Sequence, residues 1–197
     1  MVKFENAGKQ NTAETVRLAL ERAMELDCDI VAASTMGVTA NTLLDKAKEV
    51  GFKNRIVIVR GVSSKGRKGV NLMAPEVKAE LEAKGATIVT AAHALSAGER
   101  GLSSKYRGIY PLEIVADTLR LFGMGTKVGV EAAMMALEDD AISFGVPVVA
   151  LGGSHRGADT AIVVTPCYSA ALLDTVIHEI ICKPFDIKNP DPSMTFD

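Results

Sequence analysis

Residues 30–42, IVAASTMGVTANT, decide how the chain is read. A short apolar run ends in Ser34-Thr35-Met36-Gly37-Val38-Thr39, and a helical pattern follows at once. A strand that turns through small, hydroxyl-bearing residues into a helix presents free first-turn N–H groups and the positive end of the helix dipole, which together suit an anion. Ser34, Thr35 and Thr39 add hydroxyls, Val38 lies between them, and Gly37 allows close backbone approach to a ligand. No Lys-Ser/Thr pair follows the glycine at Walker spacing. Two readings stand for this stretch. One is a phosphate cradle; the other is an ordinary strand-to-helix loop in which Thr39 caps the helix.

Working outward, Thr12–Leu26 reads as a helix. Val16, Ala19, Leu20 and Ala23 recur at helical spacing, with Asn11 or Thr12 as the cap. The run over 29–34 alternates little, as expected of a strand covered on both faces. A helix over 41–50 closed by Gly51 follows, then a strand over 55–60 and a loop over 61–71 rich in glycine and cations. Residues 75–84 form a helix opened by Pro75, and 86–90 a strand. The weakly periodic stretch 91–111 predicts a broken helix or an ordered loop over one sheet edge. Helices over 112–122 and 127–144, strands over 146–151 and 160–165, a last helix over 169–182 and a Pro-rich tail over 183–197 complete the chain.

Strands alternating with helices predict a three-layer α/β/α fold with a mostly parallel sheet of about five strands. The link between the last two strands is about eight residues, too short for a parallel crossover, so the last strand is expected as an antiparallel edge strand. No internal repeat or boundary divides the chain, and residues 1–197 read as one domain.

The composition removes several functions. Lys+Arg total 22 against 24 Asp+Glu, a net charge of −2, so bulk charge calls for neither nucleic acid nor membrane. Trp is absent and only 5% of residues are aromatic, which leaves few platforms for stacking bases. No apolar run approaches the roughly 20 residues of a membrane span. The polar N-terminus has no signal-peptide core. Cys28, Cys167 and Cys182 are far apart and show no metal spacing, which predicts reduced thiols in a cytoplasmic protein with no bound metal.

In a doubly wound sheet, ligands bind beyond the carboxyl ends of the strands, where the winding reverses. Those ends here are Ser34-Thr35, Gly61-Val62-Ser63, Ala91-Ala92-His93 and Gly152-Gly153-Ser154, all small, polar or glycine-rich. They leave room for a flat ligand. Lys65, Arg67 and Lys68 would neutralise a phosphate or simply solvate a loop. Arg156, after His155, would make a bidentate phosphate contact or sit in a surface turn. His93 is the one histidine placed for acid–base work, with packing as its other reading. His178 reads as structural. Thr126-Lys127 opens a helix whose N-terminus would offer donors, while Met134 and Met135 read as core. Glu138, Asp139 and Asp140 read as a solvated face. No GxSxG signature is present, and no catalytic residue is assigned.

The first third resembles the C-terminal α/β domain of pyruvate kinase. The matching elements are Asn11-Thr12 opening a helix, the strand DIVAAS, the loop STMGVT entering a helix, and the strand RIVIVRG. In pyruvate kinases the corresponding loop binds the phosphates of an allosteric sugar bisphosphate, and Ser34, Thr35, Gly37 and Thr39 fall on it. The catalytic barrel has no counterpart, so kinase activity is not carried over. Over its full length the chain is similar to a small family of stand-alone archaeal and bacterial proteins with this domain, with which flavin mononucleotide (FMN) is associated as a ligand.

The resemblance implies a protein that holds a phosphorylated small molecule or nucleotide, FMN first. The expected contacts are Asn11, Thr12, Ser34, Thr35, Gly37, Val38, Thr39, Gly61, His93, Thr126, Lys127, Gly153 and Ser154. A flavin-dependent oxidoreductase or phosphate-sugar enzyme, a regulatory module binding a phosphorylated effector, and a homo-oligomer are the other expectations.

Overall fold

The structure, a computed structural model, describes residues 1–62 and 69–190. The cationic segment with Lys65, Arg67 and Lys68 lies outside the described residues. The chain is α/β. Seven strands form one sheet: β1 (Val2–Ala7), β2 (Ile30–Ala33), β3 (Ile56–Gly61), β4 (Thr87–Ala91), β5 (Val148–Gly152), β6 (Thr160–Thr165) and β7 (Val176–Pro190). The helices are α1 (Thr12–Leu26), α2 (Val38–Val50), α3 (Pro75–Ala83), α4 (Ala97–Tyr106), α5 (Pro111–Arg120) and α6 (Met124–Glu138), with short 3-10 turns at Lys9–Asn11 and Ser169–Asp174.

The sheet order is β1-β7-β6-β5-β2-β3-β4. β2 pairs in parallel with β3 and β5, and β3 with β4. β6 is antiparallel to both neighbours, and β1 pairs in parallel with β7. Six strands therefore point one way. From β2 the chain winds outward to β3 and β4, then returns through α6 to β5 on the other side of β2. The reversal falls between β2 and β5.

Side chains of the central strands alternate between two apolar clusters, as the two-residue period of a strand requires. Ile30, Ala32, Ile58 and Leu151 join Leu20 of α1, Leu43 of α2 and Leu81 of α3. Val31, Val57, Ala150 and Ile162 join Ala116 of α5 and Met134 and Leu137 of α6. Helices thus cover both faces, consistent with three layers.

The expected helix over 169–182 does not form. The 3-10 turn takes only Ser169–Asp174, and β7 begins at Val176. Val176-Ile177 and Ile180-Ile181 are β-branched and stiff at χ1, and they favour the pleated surface beside β6. The expected tail is in part strand, because β7 continues past Cys182 to pair with β1. Pro184 falls where β6 no longer accompanies β7, so its missing N–H breaks no ladder on that side.

The sheet consequently has seven strands rather than about five. β6, although antiparallel to β5 as expected, is interior rather than an edge. Boundaries move elsewhere. α2 starts at Val38, directly after Gly37, and α6 stops at Glu138 because Asp140 takes a left-handed conformation. Within 91–111 the ordered element is α4.

Candidate functional site

The carboxyl ends of β2, β3 and β5 and the loop after β1 border one cleft of about 670 Å³. One wall is the loop after β2 and the first turn of α2, contributing Ser34, Thr35, Val38 and Thr39. Lys9 and Thr12 from the β1–α1 junction and Arg156 from the loop after β5 also line it. The floor is apolar, formed by Ala33, Val59, Ala132 and Met135. Gly61 and His93 close the far end. The cleft is at the winding reversal, where an open α/β sheet leaves a crevice.

Each polar wall has a local cause. Ser34 is buried, and its Oγ accepts the Ala40 N–H at 3.3 Å, which ties the β2 end to the first turn of α2. The Asn41 N–H already bonds the Gly37 carbonyl, so the amides of Val38 and Thr39 are the first-turn donors with no intrahelical acceptor. At the β1–α1 junction, Thr12 Oγ1 donates to the Lys9 carbonyl at 2.7 Å and accepts the Ala158 N–H at 3.1 Å. Asp159 is fully buried, and its carboxylate accepts the Gly8 and Ser154 amides and the Thr160 hydroxyl. It thereby ties the loop after β1 to the loop after β5. Lys9 and Arg156 are exposed at the rim with no ion-pair partner among the described residues.

At the far end, His93 Nδ1 lies 3.0 Å from Glu131 Oε2. Glu131 is 3% exposed and His93 56%. The other carboxylate oxygen of Glu131 accepts the Leu95 N–H at 3.0 Å, and Lys127, one helical turn earlier on α6, pairs with Oε2. Burial pushes the Glu131 carboxyl up, but the hydrogen bonds from His93 and Lys127 and the ammonium charge more than offset it, holding the carboxyl at about 2. Burial pulls the Lys127 ammonium below its ordinary value, against the opposing effect of Glu131.

Of the residues expected at the site, Thr12, Ser34, Thr35, Val38, Thr39, Gly61, His93 and Gly153 line this cleft. Asn11, Gly37, Thr126, Lys127 and Ser154 do not. The Asn11 side chain bonds the Asn6 carbonyl. Gly37 has φ +95°, and a Cβ there would meet Val77, so chain geometry and helix packing account for it. Thr126 is fully buried with its hydroxyl on the Phe122 carbonyl, and the N-terminus of α6 presses against β5. A Cβ on Gly152 would stand 2.1 Å from the Gly125 carbonyl oxygen, so that helix end is packed directly on β5.

Glu131 and Lys9 were not singled out by the sequence. The available signal for Glu131 was Lys127 and Glu131 at i,i+4 spacing in the otherwise uncharged run 124–137. Lys9 required recognising β1. Met135 lines the cleft while Met134 is core, and Glu138 accepts the Ser169 N–H rather than facing only solvent. His178 bonds Thr165, as a structural histidine does. No helix among the described residues is long and apolar enough to cross a membrane. No protein-family model matches the chain.

Proposed function

We propose that this protein binds a phosphorylated small molecule in the cleft, FMN being the nucleotide whose shape and charge suit it best. One observation carries the reading. A single cleft is lined by a helix N-terminus, by two exposed cations with no ion-pair partner among the described residues, and by several apolar side chains. A phosphate seats on residues 34–39, where the Val38 and Thr39 amides and the Thr35 hydroxyl donate, and Arg156 and Lys9, which line the same cleft, neutralise it. A planar ring then lies over Val59, Ala132 and Met135 toward Gly61, His93 and Gly153. When bound, a flavin supplies the redox chemistry, and the chain supplies binding, orientation and exclusion of water.

This reading keeps the likeness to the pyruvate kinase C-terminal domain as a proposal about fold and effector site, with a phosphorylated regulator as the second reading. The same first-turn amides favour it, because they recognise a phosphate whatever carries it. The test is mass spectrometry of ligand released from freshly purified, denatured protein, followed by fluorescence titration with FMN and riboflavin. FMN binding at least tenfold tighter than riboflavin is expected. Equal affinity for the two would overturn the phosphate seat, and a sugar phosphate as the released ligand would favour the regulatory reading.

A further inference from the structure

The far end of the cleft holds a side-chain arrangement that phosphate binding does not use. Lys127, Glu131 and His93 form a chain of contacts running from the interior to the cleft. Glu131 accepts from the Leu95 amide, from Lys127 and from His93. An ionised carboxylate can only accept, so His93 Nδ1 carries the hydrogen in this contact. In the neutral ring, Nε2 is then the acceptor. It lies on the cleft side, where a Cβ built on Gly61 would stand 3.9 Å from it. The ring is more than half exposed while its carboxylate partner is buried. A merely packed histidine would be enclosed. A histidine whose outer nitrogen is open and whose inner nitrogen is held by a buried carboxylate has a fixed tautomer and a fixed direction for its lone pair.

We infer that His93 is a general base, with Glu131 and Lys127 as its positioning residues, and that the cleft accepts a flat molecule carrying an acidic C–H or N–H within reach of Nε2. This rests on the cleft reading above but not on which nucleotide the cleft holds. Val59, Ala132 and Met135 line the same cleft as His93 and give a flat apolar molecule a surface to rest on while its acidic proton meets Nε2.

The test uses 5-nitrobenzisoxazole, a flat probe that needs no cofactor. A base removes the C3 proton, the C3–H electrons form the nitrile, the N–O bond breaks, and its electrons leave on the phenolate oxygen. The proton ends on Nε2 and returns to solvent. The purified full chain is expected to convert the probe faster, per molecule, than free imidazole. His93→Ala should lose about tenfold or more of that rate with the circular dichroism spectrum unchanged. His93→Gly should regain it on addition of imidazole, and His178→Ala should keep it. Nitrogen-15 NMR of the ring should show the Nδ1–H tautomer in the parent protein and a mixture in Glu131→Gln, a signature that loss of packing alone would not produce. A parent rate no higher than that of imidazole, an undiminished His93→Ala rate, or an Nε2–H tautomer in the parent would overturn the assignment. FMN should slow the reaction by occupying the cleft. If it does not, the nucleotide reading falls while the His93 assignment stands.

Discussion

A Cβ built on Gly37 would stand 2.5 Å from Cγ1 of Val77, closer than real Cβ atoms come to a neighbour. The two residues bring the start of α2 against α3, and the left-handed φ of +95° at Gly37 adds a backbone penalty for any other residue. Gly37→Ala is therefore expected to destabilise the fold by about 2 kcal/mol or more, with or without ligand. Adding Val77→Ala should recover the steric part and leave the φ penalty. Urea unfolding of the two single variants and the double variant measures this coupling. Full stability in Gly37→Ala would show that the contact is not tight.

Asp159 is the second structural point that can be tested alone. Its removal leaves the Gly8 and Ser154 amides and the Thr160 hydroxyl without their acceptor in a buried place. Asp159→Ala should cost roughly 3 kcal/mol or more. Hydrogen exchange should rise first at Gly8 and Ser154, the two loops that it joins. An equally stable variant would mean that water replaces the carboxylate.

These two residues show what was open to sequence reading and what was not. α1 and the Gly51 stop of α2 were readable, because amphipathic spacing and a glycine cap are local properties. The antiparallel β5–β6 link was readable from loop length alone. β1 and β7 were missed because VKFENA is short and polar, and because apolar residues at 170–173 merge with the β-branched run that follows. Their pairing joins segments about 180 residues apart, since Val2 stands opposite Cys182, a relation no local window contains. The wall formed by Lys9 was hidden with them. Gly37 has a role that the sequence does not show, because its missing Cβ leaves space for Val77.

Glu131 makes acid stability asymmetric. Its folded carboxyl is held at about 2 against an ordinary 4.5. A depressed carboxyl contributes stability that is present above 4.5 and is lost as pH falls toward 2. The contribution is of the order of a few kcal/mol at most. Lys127 has the opposite bias. Its lowered value means that the unfolded chain binds that proton more readily, so stability should rise with pH as the ordinary lysine value is approached. Guanidinium unfolding of the parent and Glu131→Gln at a series of pH values isolates the first effect. The parent should lose more stability than the variant between pH 4.5 and 2, and parallel curves would contradict the ion pair.

The thiols should divide by burial. Burial pushes Cys182 up to about 11 and raises Cys28, so both stay protonated and enclosed near neutral pH. Cys167 is only partly buried. An aromatic disulfide reagent should modify Cys167 in the folded protein, and the other two should react only as the chain unfolds. Rapid reaction of Cys182 in native buffer would indicate local opening of β7 from β6.

The rim cations separate phosphate recognition from ring recognition. Arg156 and Lys9 line the same cleft as the first turn of α2. A charge-assisted hydrogen bond contributes roughly 1.5–3 kcal/mol, so Arg156→Ala should weaken FMN binding about tenfold or more. Lys9→Ala should act in the same direction by a smaller factor, because a flexible ammonium makes a less directed contact. Riboflavin, which has the same ring and no phosphate, should bind both variants as it binds the parent. Raising the salt concentration should weaken FMN binding to the parent more than to the Arg156→Ala variant, since part of the attraction is screened charge. Isothermal calorimetry with the two flavins at two salt concentrations gives all of these differences. A parallel loss of riboflavin affinity in Arg156→Ala would place the guanidinium against the ring, and the phosphate would then need another seat.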